Sequence, residues 1–581
     1  MTDELKTHYD VVIIGAGLAG LSLSAQLLKY TNKSVLLLDK WDDPPMPTQK
    51  VGESLVQLSG YYFSKILDLE EYLLINQYLK YNLRFYWQTG TGDDFWEDVS
   101  SSTIRTISNI ATFQLDRNHI ERHLMQRNKQ DPRFQFVGGV RNISVDLSET
   151  DDPHKITFNK GTTSCRWVVD TSGRSSILKK KLGLQKESPI KHGATWCWVD
   201  GLVNYEKLTD HSWKEILLDR SRQQTGNFPY VNATSHFCGK GRWFWVIPLH
   251  GITSLGLVFE HDSVNPEEVS SAKKMIEWVC KDWPMFARDL PNRKIVDEGR
   301  YISYAHDCRQ TISTNRWALA GEAGRFTDPL YSPGSDLIAI YNTLVVDAIE
   351  TEDKALLEEK VLMAEQIERA MYEAYVPTYE LSYNALGDQE AFTLKYTWEL
   401  AIYFGFYVMP FANQLFTNKR FMQTFLRKFG IFGPINKSVQ QFLSDFYKWK
   451  YANGIKNLPE PLHVEFYSLL PLKESETLFY QIGLTVEEAE EQIEKHVERM
   501  REFARYIYTH VYAAVLGDKR VLLNDAFIRS LKLREVKFDP EAMRADYEKY
   551  AGCEEMYSWK LNPFAMEAFI PARVETQSTM S

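Results

Sequence analysis

The sequence is short of cysteine, of clustered positive charge and of long apolar runs, and each shortage closes off a class of protein. Its six cysteines (Cys165, Cys197, Cys238, Cys280, Cys308, Cys553) are scattered through 581 residues with no CxxC or other metal-ligand spacing. A disulfide framework or a metal site is therefore not expected, and reduced thiols in a cytoplasmic setting are. No basic stretch interrupts the net charge of −10, which argues against nucleic acid as a partner. The most apolar helical candidate, residues 398–416, carries Glu399, Asn413 and Gln414 and is expected to break at Pro410. It reads as a buried or interfacial helix rather than a membrane span. Met1 to His8 is polar and runs directly into an apolar strand, unlike a secretory signal. Internal repeats and low-complexity linkers are also missing.

Aromatic residues, by contrast, are plentiful at 13%. The length predicts two or three lobes of roughly 100–200 residues each. Tyr9 to Ile14 reads as a buried parallel strand, followed by Gly15-Ala16-Gly17-Leu18-Ala19-Gly20 and a helix. A glycine-rich turn between strand and helix lets the backbone approach a pyrophosphate and aims the helix N-terminus at it. The next strand, Val35 to Leu38, ends at Asp39, where an acid can hydrogen-bond a ribose hydroxyl. Only one such fingerprint is visible. Gly90-Thr91-Gly92 has no following helix, so no second site for a nicotinamide is expected.

Further along, Phe113 to Arg117 opens a helix, and Trp167 to Arg174 reads as a strand running into a glycine turn, a form repeated at Trp317 to Gly324. Leu83 to Trp87 and residues 193–260 look strand-rich. Trp243 to Leu249, a His250-Gly251 turn and Thr253 to Phe259 read as a hairpin. Beyond about residue 345 the pattern turns helical. Thr485 and Glu488 fit a capping box, and Ala489, Ile493, Val497, Met500, Ala504, Ile507 and Val511 form one apolar stripe, expected to be core packing.

Five further segments join the glycine turn in one order: Gly52-Glu53-Ser54, Gln114-Leu115-Asp116-Arg117, Asp170 to Gly173, Trp243-Phe244-Trp245-Val246-Ile247-Pro248, and Phe326 to Gly334. With them, residues 8 to 345 resemble the flavin-dependent halogenases, the phenol and pyrrole type more than the tryptophan type. The resemblance implies an α/β fold: an FAD-binding Rossmann-like (GR2-type) domain, a β-sheet substrate platform and a large helical C-terminal region. The expected division is 1–345 for the flavin and sheet module, with the platform at about 60–100 and 186–290, and 346–581 for a helical, substrate-shaping region. It further implies that FAD, supplied as FADH2 by a separate flavin reductase, acts with oxygen and chloride or bromide to make hypohalous acid. That oxidant would halogenate a small electron-rich aromatic, phenol- or pyrrole-like, free or carrier-bound.

On this resemblance the cofactor contacts are Gly15, Gly17, Gly20, Asp39, Glu53, Ser54, Arg117, Asp170, Glu322, Pro329 and Gly334. The catalytic set is Lys80, Trp243, Trp245 and Ser332, with Lys80 receiving the oxidant and the two indoles keeping substrate from the flavin; Lys50 is the rival lysine. Two departures stand out. Tyr331 occupies the position where tryptophan halogenases carry a Glu, which excludes tryptophan as the expected substrate. In Ser332-Pro333-Gly334, Pro333 has no N–H, so one of two expected halide donors is missing. A monooxygenase that hydroxylates an aromatic on the same scaffold is the alternative, and a flavin-binding accessory protein without turnover is a third reading.

Overall fold

The computed structural model describes residues 4–46, 48–104, 108–218, 229–455, 457–466, 469 and 480–571. His8–Ile14, a run of β-branched and apolar residues, forms the centre of a parallel sheet. It is flanked by Val35–Leu38 on one side and Gly161–Asp170 on the other, with Phe134–Val137 and Trp317–Leu319 completing the parallel set. Where both faces are covered, as over residues 11–14, Val35–Leu38 and residues 167–169, the strands are continuously apolar rather than alternating. Leu18–Tyr30 is the helix that follows the first strand. Glycine is obligatory at Gly15: its φ is +115°, and a Cβ there would lie 2.5 Å from Thr171 O.

The second sheet has eight strands. The strand Arg242–Leu249 lies in its middle, between Ala233–Gly239 and Ile252–Glu260. Its alternation explains the Trp-x-Trp-x-Ile spacing. Trp243, Trp245 and Ile247 join one core, whereas Phe244 and Val246 join the separate core under the opposite face. The expected hairpin forms, with Gly251 at φ +77° in its turn. The platform limits differ from the expectation. Residues 57–76 are largely helical, so this part of the platform begins only at Asn82–Gln88, and Ile295–Tyr301 extends it beyond residue 290.

The C-terminal half is helical and is joined to the rest without a linker. The position 345/346 falls inside the helix Pro333–Glu350, and His463–Glu465 pairs as an edge strand with Val99–Thr103. The helix Val486–Leu516 begins at Thr485 with the expected capping box, and every residue of the apolar stripe is buried. Pro410 does not break its helix. Gln389–Tyr403 passes into a π-helical turn, Phe404–Val408, and helical backbone continues through Pro410 to Ala412. The wider turn changes the hydrogen-bond register ahead of the proline, and the chain reverses only at Gln414, φ +57°. Among the described residues no helix is long and apolar enough to cross a membrane.

Candidate active site

Two cavities lie next to each other between the eight-stranded second sheet and the helix Pro333–Glu350. The first encloses about 920 Å³. Trp243, Trp245 and Ile247 line it from the platform, and Glu322, Pro329, Ser332 and Gly334 line it from the segment leading into the helix Pro333–Glu350. Glu53, Ser54 and Arg117 lie along it as well. The Trp245 indole is held by Ser254, its Nε1–H donating to Oγ at 3.0 Å, and lies against Gly256, where a Cβ would come within 2.2 Å of the ring. Trp243 donates to the Tyr383 hydroxyl at 2.6 Å.

The glycine turn fits a pyrophosphate. A Cβ on Gly20 would lie 2.0 Å from Gly15 O, so the turn packs tightly against its helix, while a Cβ on Gly17 would meet no atom within 4 Å. The side of the turn at Gly17 is therefore open, with room for a group to approach the backbone. Gly321, at the cavity's edge, sits where a Cβ would be 3.0 Å from Ala19 of that helix, so cavity and turn adjoin. Asp39 accepts from Ala16 N at 2.7 Å and from Trp41 N at 2.8 Å, fixing the turn while its carboxylate remains half-exposed. Arg117 donates to Val51 O at 2.9 Å and to Glu121 at 2.6 Å. Burial holds the Glu322 carboxyl above the usual carboxylate range, with the positive charges of Arg174 and Arg117 opposing only in part.

Glu53 is buried and accepts from Trp198 Nε1 at 2.6 Å; burial pushes its carboxyl up to about 7. Asp170 is buried at the end of the strand Gly161–Asp170. Its carboxylate accepts from Ser172 N at 2.9 Å and Leu178 N at 2.7 Å, outside the cavity lining. A buried carboxylate needs donors, and the backbone of the turn at residues 171–178 supplies these two, so Asp170 fixes that turn. Lys50 pairs with Glu121 and lines neither cavity.

The second cavity, about 890 Å³, is lined by Lys80, Tyr331, Asp336, Glu399 and Tyr403 among others. Lys80 ends the short strand Tyr78–Lys80 and is 3% exposed. Its Nζ donates to Ser54 Oγ at 2.8 Å, and Ser54 also accepts from Thr234 Oγ1 at 3.0 Å. Ser54 and Thr234 line the first cavity, so one hydrogen bond links the two chambers. Burial drives the Lys80 amine down to about 7, with Asp336 opposing the shift. Asp336, Glu399 and Tyr375 were not foreseen as site residues. Of the aromatic cluster in 398–416, Tyr403 and Tyr407 line the cavity, whereas Trp398 and Phe406 pack in the helical core.

The turn at Tyr331-Ser332 is left-handed at both residues, φ +69° and +59°. Ser332 N donates to Pro329 O at 2.9 Å and is therefore not available as a halide donor. Pro333 is the first residue of an 18-residue helix, a position whose N–H has no partner within the helix in any case. The remaining donors at this end are the amides of Gly334 and Ser335, at the positive end of the helix dipole.

A family described as "NAD(P)-binding Rossmann-like domain" matches residues 13–73. The chain is 29% identical over 371 residues to the flavin-dependent halogenase chlA of Dictyostelium discoideum, spanning 58% of this chain and 60% of that relative. It is 22% identical over 373 residues to a 1H-pyrrole-2-carbonyl-[peptidyl-carrier protein] chlorinase of Pseudomonas fluorescens, covering 59% of this chain and 77% of that one. Its fold matches the crystal structure of halogenase PltM in complex with phloroglucinol and FAD, with a TM-score of 0.56 at 17% identity, over 85% of this chain and 96% of that one.

Proposed function

We propose that this chain, a relative of the flavin-dependent halogenases, halogenates an electron-rich aromatic, phenol- or pyrrole-like, using FADH2, oxygen and chloride or bromide. The observation that carries the reading is the pair of cavities joined through Lys80 and Ser54, with Trp243 and Trp245 walling the first. When bound in reduced form, FAD supplies the chemistry that turns oxygen and halide into hypohalous acid. Gly15, Gly17 and Gly20 would hold its pyrophosphate, Asp39, Glu322 and Arg117 would be its polar contacts, and Pro329 and Gly334 would contact it from the segment leading into the helix Pro333–Glu350. Halide binds at the Gly334 and Ser335 amides beside Ser332.

Two indoles keep the aromatic substrate out of the first cavity, so the oxidant must travel to it. Lys80 then receives the oxidant. Its amine, lowered to about 7 by burial, is half neutral at neutral pH. The neutral nitrogen attacks the halogen of hypohalous acid, a nitrogen–halogen bond forms and the halogen–oxygen bond breaks. The released hydroxide takes the ammonium proton as water. A ring carbon then attacks the halogen, the nitrogen–halogen bond breaks, and the proton lost from that ring carbon passes to the nitrogen, restoring the amine. The substrate's attachment, free or to a carrier protein as for the pyrrole chlorinase, and a separate reductase as the source of FADH2 belong to the same proposal.

The test is product mass. Native protein with FAD, a flavin reductase, NADH, oxygen and a panel of phenols and pyrroles is expected to add a halogen only when halide is present. A product heavier by one oxygen, formed equally with and without bromide, would replace this reading with direct hydroxylation.

A further inference from the structure

The segment 326–334 carries a disfavoured backbone between the two cavities. Tyr331 lines the second cavity and Ser332 the first, and both are left-handed without being glycine. Such a pair persists only where its surroundings over-determine it. The residue just before the pair shows how that is done. Leu330 is fully buried, and both of its backbone polar groups are taken by side chains. Its N–H donates to Asp328 Oδ1 at 2.8 Å, and its carbonyl accepts from the Tyr379 hydroxyl at 3.0 Å. Tyr379 stands near the end of the helix Lys354–Glu380, so the turn is held from the helical region as well as from within.

Asp328 is anchored in turn. It is fully buried, and its Oδ2 accepts from the Tyr304 hydroxyl at 2.5 Å and from His192 Nδ1 at 2.7 Å. A carboxylate offers no donor, so the His192 proton facing it sits on Nδ1. Three donors around one buried carboxylate fix its orientation. His192 begins the platform strand His192–Asp200, and its ring lies 4.0 Å from that of Tyr383, whose hydroxyl takes the Trp243 indole N–H. One carboxylate therefore ties the platform and its indole wall to the segment bearing Pro329, Ser332 and Gly334, which border the first cavity. Asp328 and Tyr379 lie outside both linings, so they act on a ligand only through the backbone they hold.

We propose that Asp328 and Tyr379 are positioning residues: by fixing the amide and the carbonyl of Leu330 they impose the left-handed pair Tyr331-Ser332, and thereby set the direction of the Gly334 and Ser335 amides. The consequence for halide rests on the reading that bromide or chloride binds at those amides; the hold on the backbone does not. The informative substitutions follow from the donors and acceptors. Tyr379→Phe keeps the ring and removes the donor to Leu330 O. Asp328→Asn keeps an oxygen for Leu330 N, and the Tyr304 hydroxyl and His192 Nδ1 can each accept from its amide. Asp328→Ala removes the acceptor that Leu330 N, Tyr304 and His192 share.

Full-length protein loaded with oxidised FAD is read in two ways. Hydrogen exchange by mass spectrometry over residues 326–336 reports the turn. A bromide titration at constant ionic strength, held with acetate and followed through the visible absorbance of the bound flavin, reports the halide. Tyr379→Phe and Asp328→Ala should speed exchange in that segment and not elsewhere, and weaken bromide by about two- to tenfold, as for one lost hydrogen bond. Asp328→Asn should follow the native protein in both. If Asp328→Ala does not fold, the other two variants decide. Native exchange in Tyr379→Phe, or an Asn variant as impaired as it, would overturn the proposal. A native bromide response that Tyr379→Phe leaves unweakened would also overturn it, with the halide reading intact. If bromide leaves the native flavin spectrum unchanged, the halide reading falls and exchange alone decides: acceleration confined to 326–336 upholds the hold on the turn, and uniform or unchanged exchange sinks it.

Discussion

Lys80 is a cation placed where a cation is poorly tolerated. Its amine falls from an ordinary 10.5 to about 7 by burial. Between these values the unfolded chain carries a proton that the folded chain does not, so stability rises with pH across that window. Lys80→Met should remove this rise, and denaturant melts of both proteins at pH 7 and pH 9 would show it; a difference independent of pH would mean the amine titrates normally. Lys80→Ala should still consume oxygen in the presence of reduced flavin, yet lose product by roughly 10²-fold or more. Native product formation by that variant would leave Lys80 a structural residue. Gly17 gives a sharper test. Its φ is −84° and a Cβ there touches no protein atom, so Gly17→Val should fold normally and fail to retain FAD. Flavin absorbance after reconstitution, beside an unchanged melting curve, reads both halves.

At the scale of the element, the start of the helix Pro333–Glu350 concentrates the tension. Tyr331 and Ser332 are consecutive non-glycine residues in left-handed backbone, each costing on the order of 1 kcal/mol or more. Ser332→Gly should therefore raise the melting temperature while loosening the turn beside the first cavity, and calorimetry with a bromide titration of product yield would separate the two effects. Pro333→Ser should tighten halide dependence, because the first helical position regains an N–H at the dipole's positive end; unchanged bromide saturation would place the halide elsewhere. Local pattern explains what could be read in advance here. The glycine turn, the Trp-x-Trp-x-Ile strand and the capped helix at Thr485 are each specified by residues a few positions apart. Pro410 misled because a proline does not by itself end a helix in this region: it follows the π-helical turn Phe404–Val408, and Pro377 and Pro434 also lie inside helices.

Seen whole, the molecule shows why the second cavity was illegible. Glu399 is conspicuous in the sequence only as a polar residue in an apolar helix, and Asp336 as an acid in a helix's first turn. Their meeting depends on packing among segments near residues 80, 336, 375 and 400, which no local spacing encodes. The Lys80 assignment rests on resemblance; its burial and its bond to Ser54 were not readable from the sequence. The same scale governs reducing power. With one dinucleotide turn in the chain, NADPH mixed with the FAD-loaded protein should leave flavin absorbance unchanged until a reductase is added, and immediate bleaching would reveal a nicotinamide site in this chain.

The division of the two linings has a consequence of descent. Every residue bordering the first cavity lies between 51 and 338, whereas nine of the twenty bordering the second lie between 374 and 407. On the proposed function, mutations that accumulate in the helical region would change which molecule is modified while the first chamber is inherited intact. Lineages sharing this architecture would then diverge in product chemistry without rebuilding that chamber.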